Sequence, residues 1–286
     1  MRDFVFMIDM NGDINAEYAK AEDIKIFPQY YHFNDGIIYG DGKYLDMNTF
    51  FSRLRAGEKA YSMGCNPERV KEIMEPTVAE GKDVIVAMAS SECSGSYNTV
   101  RVVAQELMEK YPGSRIYVLD SLLECAPIGL LVRMGVDMKK AGKSFDEIVE
   151  TLERRKLDMD VYFIVDNLEY LVRGGRLSAF KGAVGSMLDI KPILHFENGK
   201  IVPLMKCRGK KAAKQIILER LSKMDLDPEY FAFGNTTCRE EVEEYAEECK
   251  EKLGVKITDI VDVNLIISSH TGDGALGVTF VTKDKH

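Results

Sequence analysis

The sequence predicts an α/β protein of two domains: an N-terminal parallel sheet with helices on both faces, residues 1–158, and a C-terminal mixed-sheet α/β domain, residues 159–286. Three observations predict it. The chain has 286 residues, more than one hydrophobic core usually serves. Its first half alternates short apolar runs with segments of helical period, the pattern of a parallel sheet covered on both faces. Near residue 158 that pattern gives way to hairpin and crossover units mixed together. No Gly/Ser/Pro-rich linker marks the change, so the two halves are expected to pack closely.

Phe4 to Ile8, Val84 to Ala89 and Ile116 to Leu119 are apolar runs short enough for buried strands. The second and third are followed by helices. Tyr97, Val100, Ala104, Leu107 and Met108 keep i, i+3/i+4 spacing, and Leu123 to Lys140 is apolar over much of its surface. Asn66 with Pro67 reads as a helix cap followed by the first helical residue. "SFDE", residues 144–147, is a capping box. "DGIIYGDGKYL", residues 35–45, reads as a hairpin with glycine turns that lies as a flap over a strand edge. In the second half, Val161 to Val165 is a strand, and a double glycine ends the short helix of "LEYLVRGGRLS" in a left-handed cap. "ILHFENGKIVPL", residues 193–204, is a hairpin around Asn198-Gly199. A helix from about Lys210, a strand at Tyr230 to Gly234, an acidic helix to Leu253 and two strands around His270 complete the chain.

Net charge is −8 with 38 basic and 46 acidic residues, and no basic stripe is present, which argues against nucleic acid as a partner. The N-terminus lacks the pattern of a signal peptide, and no apolar stretch approaches the ~20 residues that span a bilayer. The six cysteines show neither a CxxC nor a zinc spacing. A cytoplasmic protein with reduced thiols and no metal is therefore expected.

Three turns pair hydroxyls with glycine. "ASSECSGSYN" (89–98) follows a buried strand, "YSMGCNPE" (61–68) precedes a helix, and "SSHTGDGALG" (268–277) precedes a glycine-rich turn. Two of them feed helix N-termini, which carry unpaired N–H groups and favour anions. Each turn also reads as an ordinary cap. There is no GxxxxGK[ST] and no GxGxxG after the first strand, so a nucleotide site is unsupported. An acyl hydrolase using Ser94 or Cys93 with His270 is the rival reading, although "ECSGS" is not a GxSxG elbow. A pure interaction module would have neither cavity nor ligand.

The sequence resembles the DegV family of bacterial fatty-acid-binding proteins. The residues that carry the resemblance are "SSECSGSYNTV" (90–100), "LEYLVRGGRLS" (168–178), "KPILHFENGKI" with "CRGKKAA" (191–213) and "HTGDGALGV" (270–278), in the family's order over nearly the whole chain. The resemblance implies a long-chain fatty acid held in an apolar tunnel with its carboxylate where the domains meet. It implies a carrier that does no chemistry unaided and uses no cofactor. Such a carrier presents the acid to a separate ATP-dependent fatty-acid kinase subunit, and transient membrane contact is open to it. By resemblance, Ser94 and Gly95 fall on the carboxylate-binding turn and Ser62 on the second contacting loop, while His270 and Arg208 lie near the carboxylate or the transfer site. Candidate tunnel residues are Ile128, Leu131 and Val132, with Ala183, Val184, Met187 and Leu188. Arg173 in "RGGR" reads as a charge suited to a helix C-terminus.

Several positions depart from the family. Met10 and Asn11 stand in the usual Asp-Ser-Thr, Tyr61 stands before Ser62 where Thr is usual, and Asp273 replaces the Pro of the last turn. Tyr61 is expected to fill or bond into the head-group pocket, and Asp273 to weaken an anion site by like-charge repulsion.

Overall fold

The computed structural model describes residues 2–177 and 191–283. The first sheet is parallel, in the order β2–β1–β6–β7, from Phe4–Asp9 (β1), Lys25–Phe27 (β2), Asp83–Met88 (β6) and Ile116–Asp120 (β7). Side chains alternate across it, as the two-residue period of a strand requires. Phe4, Phe6, Ile8, Ile85 and Ala87 face Ala126–Lys140 (α5) and Phe145–Arg155 (α6). Met7, Val84, Val86 and Met88 face Pro67–Ala79 (α3) and Ser96–Lys110 (α4). Both faces are covered, which is why β6 is a continuous apolar run. The caps expected at Asn66 and Ser144 form: Asn66 Oδ1 accepts from Arg69 N–H at 2.8 Å, and Ser144 and Glu147 close a full capping box.

The second sheet has six strands in the order β10–β9–β8–β13–β11–β12, with β11 parallel to β12 and every other pair antiparallel. Its members are Met159–Ile164 (β8), Lys191–Glu197 (β9), Lys200–Cys207 (β10), Leu226–Asn235 (β11), Ile257–Asp262 (β12) and Leu276–Thr282 (β13). Tyr162, Ile164, Leu276 and Phe280 pack on one face with Lys210–Leu221 (α8) and Arg239–Leu253 (α9). The short helix Glu169–Arg173 (α7) runs into Gly174 and then Gly175 at φ +78°, the left-handed residue that the double glycine predicts.

Two expectations change. The segment read as a flap is a sheet of its own, Ile38–Gly40 (β4), Tyr30–His32 (β3) and Tyr61–Met63 (β5), with Met47–Arg55 (α2) on one side. Tyr31, Phe33, Tyr39, Phe50 and Phe51 give it a core, and edge-to-face contacts such as Tyr31 on Phe50 at 5.3 Å hold it rigid. His270 lies in a helix, Leu265–Thr271 (α10), rather than in the turn after it. Ser268, Ser269 and Thr271 each bond back to a carbonyl of Val263, Ile266 and Ile267, so two of those three hydroxyls serve the helix and only Thr271 also reaches the cavity described below.

The tip of the β9–β10 hairpin rests on the first domain. Asn198 (φ +48°) and Gly199 (φ +80°) make the left-handed turn that Asn-Gly favours. Ser90 Oγ donates to the Gly199 carbonyl at 2.8 Å, and Cys93 Sγ donates to the same oxygen at 3.3 Å. A Cβ on Gly199 would stand 2.7 Å from Ser90 Oγ. Gly36, also left-handed at φ +75°, has nothing within 4 Å of such a Cβ. Gly36→Ala is therefore expected to cost only backbone strain, on the order of 1 kcal/mol, and Gly199→Ala clearly more. Thermal unfolding of the two variants checks this; equal losses would mean that the tip does not bear on the loop.

Candidate functional site

Between the two sheets lies a cavity of about 380 Å³, within the range of small-ligand sites. One wall is the free face of the second sheet. Val161 and Phe163 of β8 alternate with the buried Tyr162 and Ile164, so they point away from the α8–α9 core and into the cavity, with Phe196 and Ile201 from the hairpin. Gly234 pairs with Gly277 in neighbouring strands, and this side-chain-free pair leaves room in the wall. Val263 and Ile266 complete the apolar lining.

The opposite end is polar and is built by loops that follow the strands of the parallel sheet, where ligands of open α/β folds sit. Ser94 and Gly95 follow β6. They are held from three sides: Asp9 Oδ2 accepts from Ala89 N–H at 2.9 Å, Asp120 Oδ1 from Ser91 N–H at 3.2 Å, and Ser94 N–H donates to the Ser90 carbonyl at 2.9 Å. Helix α4 begins directly after its N-cap, Gly95, which has no capping side chain; Ser96 N–H donates to Ser94 Oγ at 3.3 Å, and the N–H groups of the next two residues are left for a ligand. Ser62 comes from β5. It lines the cavity, and its Oγ lies 2.9 Å from His270 Nε2.

The His270 ring is clamped. A Cβ on Gly174 would stand 2.2 Å from Nδ1, so only glycine at the end of α7 lets the helix approach. Burial, and then the charges of Arg176 and Arg173, push His270 down to about 3. It is neutral at physiological pH and bonds to Ser62 as an uncharged imidazole. The cation of the site is Arg176, which lines the cavity, donates from Nε to the Cys93 carbonyl at 3.0 Å and from Nη1 to the Gly174 carbonyl at 2.5 Å.

Ser62, Ser94, Gly95 and His270 thus all line one cavity. Other expected residues are elsewhere. Arg208 is exposed in the turn between β10 and α8, away from the cavity lining. Ile128 and Leu131, with Val132, are fully buried in the core that α5 forms with the first sheet and with Ala232, Val261 and Val281 of the second, and none of the three lines the cavity. Ala183, Val184, Met187 and Leu188 lie outside the described residues. Tyr61 is 41% exposed and stacks on His32 at 5.2 Å, outside the pocket. The charge of Asp273 is met by Arg55 in a two-bond pair at 2.6 and 3.1 Å, and its side chain does not line the cavity. Met10 packs under the small sheet beside Tyr44.

The hydrolase arrangement does not form. Ser94 Oγ accepts from Ser96 N–H, Cys93 Sγ is turned to Gly199, and burial pushes the Cys93 thiol up to about 12. His270 Nδ1 has no partner among the described residues, so no carboxylate orients it as a base.

Sequence reading named Asn11, on the cavity wall, only as a departure from the family, and missed Arg176, Gln29 and Glu124 there. A signal existed for each: the arginine just past a double glycine, the polar Gln29 inside "IFPQYYHF", and the lone charge of Glu124 in "SLLECAPIGLL". Glu124 sits between Leu122 (φ +59°) and Cys125 (φ +66°), left-handed positions that a side-chain-bearing residue seldom takes. Burial first, and then the charge of Asp9, raise Glu124 well above the usual carboxylate range. Burial likewise raises Asp9 to about 6 and Asp13 to about 7.

A family model described as "Uncharacterised protein, DegV family" matches residues 4–283. A DegV domain-containing protein of Clostridium perfringens is 34% identical over 289 residues, covering 100% of this chain and 99% of its own. A fatty acid-binding protein of Thermotoga maritima is 31% identical over 220 residues, 75% of each chain. The solved structure of a DegV family protein from Thermus thermophilus, described by its fatty acid binding, superimposes with a TM-score of 0.88 at 25% identity, over 99% of this chain and 100% of that one.

Asp13, which bonds to Asn264 outside the cavity lining, offers a test of these shifts. Its Oδ1 accepts from Asn264 N–H at 3.0 Å and from Nδ2 at 2.8 Å, bonds that an asparagine carbonyl can keep at this φ of +40°. The folded state holds a proton up to about pH 7 that the unfolded chain loses near 3.8, so the stability this group contributes declines as pH rises through that window. Asp13→Asn removes the decline. Its melting temperature relative to the native protein is expected to rise from pH 4 to pH 7 and then level; a difference flat over pH 4–8 would contradict the burial.

Proposed function

The chain belongs to the DegV family, and from that premise we propose that it binds a long-chain fatty acid between its two sheets. The acyl chain lies along Val161, Phe163, Phe196 and Ile201, and the carboxylate meets Ser94, Gly95 and the start of α4, with Ser62, His270 and Arg176 around it. The single observation that carries this reading is one cavity that is apolar along a sheet face and ends in hydroxyls, free helix N–H groups and a guanidinium. A buried carboxylate needs such partners, since an unpaired charge in an apolar site is costly. The chain supplies the affinity: at ~0.8 kcal/mol per buried CH₂, about 14 methylenes give on the order of 11 kcal/mol gross, which ordering and association costs reduce substantially.

We further read the protein as the carrier subunit of a fatty-acid kinase in the cytoplasm, with a separate ATP-dependent subunit doing the phosphorylation. Three features favour this. The chain has no phosphate-binding glycine loop of its own. Gly95, beside the proposed carboxylate, is exposed to an approaching partner. Arg208 is likewise on the surface, where it is available to a partner and not to the head group.

Titration of palmitic acid and hexadecan-1-ol, which share a chain length and differ in head group, tests the binding mode. The acid is expected to bind at least about tenfold tighter, and Arg176→Met to remove most of that difference while weakening the alcohol little. Equal affinities for acid and alcohol, or a difference untouched in Arg176→Met, would overturn the head-group assignment.

A further inference from the structure

The cavity wall carries more polar capacity than a carboxylate uses. Asn11, Gln29 and Thr279 line it at 3%, 2% and 1% exposure, and each holds a buried polar atom with no partner among the described residues: Asn11 Oδ1, Gln29 Nε2 and Thr279 Oγ1. Native proteins leave few such atoms unpaired. Glu124 joins them, with its Oε2 3.4 Å from Asn11 Nδ2. Pressing methylenes against this group of side chains would seal orphaned donors and acceptors under hydrocarbon.

We propose that Asn11, Gln29 and Glu124 form a second polar subsite that takes a hydroxyl group on the acyl chain, so that the ligand is a hydroxy fatty acid. This rests on the fatty-acid reading above and narrows its substrate class. A hydroxyl donates and accepts at once. Asn11 Oδ1 is an orphan acceptor and Gln29 Nε2 an orphan donor, and a hydroxyl donates to the first while accepting from the second. Burial shifts Glu124 toward its protonated form, which can donate a hydrogen bond and does not repel the nearby carboxylate.

The topology says where on the chain the hydroxyl falls. Gln29 follows β2, Asn11 follows β1, Ser94 follows β6 and Glu124 follows β7, and these strands are neighbours in that order. Adjacent strands lie ~4.8 Å apart. Asn11 and Gln29 thus lie together on the β1–β2 side of the carboxylate turn, where Glu124 reaches Asn11, within reach of the first few carbons, which fits a 2-hydroxy or 3-hydroxy acid.

Affinities for palmitic, 2-hydroxypalmitic and 3-hydroxypalmitic acids decide it, with Gln29→Leu and Asn11→Leu measured alongside. The readout is the ratio of affinities within each protein, which general loosening of the cavity does not move. One hydroxy acid is expected to bind at least about tenfold tighter than palmitic acid to the native protein, with the ratio falling toward one in either variant. If one variant fails to fold the other carries the comparison, and if both fail the native ranking decides. Palmitic acid binding as tightly as both hydroxy acids would overturn the proposal and leave water as the partner of these atoms. So would a preference that survives both substitutions. Failure of all three acids to bind would instead overturn the fatty-acid reading itself.

Discussion

The polar end of the cavity depends on one contact, the seating of the second domain on the loop from Ser90 to Gly95. The Gly199 carbonyl takes hydrogen bonds from Ser90 Oγ and Cys93 Sγ, and Arg176 donates to the Cys93 carbonyl. The loop is thus gripped from the hairpin and from the end of α7 at the same time. Its other face is held by Asp9 and Asp120 of the first domain. Neither domain alone builds the polar end of the cavity. The first contributes Ser94 and the start of α4; the second contributes Arg176 and His270.

That division explains the electrostatics. At the polar end burial works against charge: His270 falls to about 3 and Glu124 rises well above its usual range. Neutral groups satisfy polar ligands without the desolvation cost of more buried charges. Arg176, tied to two carbonyls, is left as the permanent charge among the described cavity residues. Sequence reading missed this guanidinium because "RGGR" read as a helix end and not as a turn that carries an arginine to the cavity wall.

Much of the fold was legible because it rests on local signals. Strand runs, the capping box at Ser144 and the Asn198-Gly199 turn follow from backbone chemistry within a few residues. The small sheet was not, since β5 is three residues long and joins β3 across some thirty residues of chain. The gathering of Ser62, Ser94 and His270 was legible only through resemblance. Ser62 and His270 are 208 residues apart, and no periodicity links them. Ile128 and Leu131 failed as tunnel residues for a related reason: apolar character marks burial, not what a side chain is buried against. Asp273 failed because its partner, Arg55, lies in another element.

Mass spectrometry of an organic extract from the gently purified protein, with Ser94→Ala prepared in parallel, tests the central claim most directly. The account predicts one long-chain fatty acid per native molecule and a markedly lower occupancy in the variant. A native protein that yields none, and that takes up no fatty acid of any chain length when supplied, would contradict it.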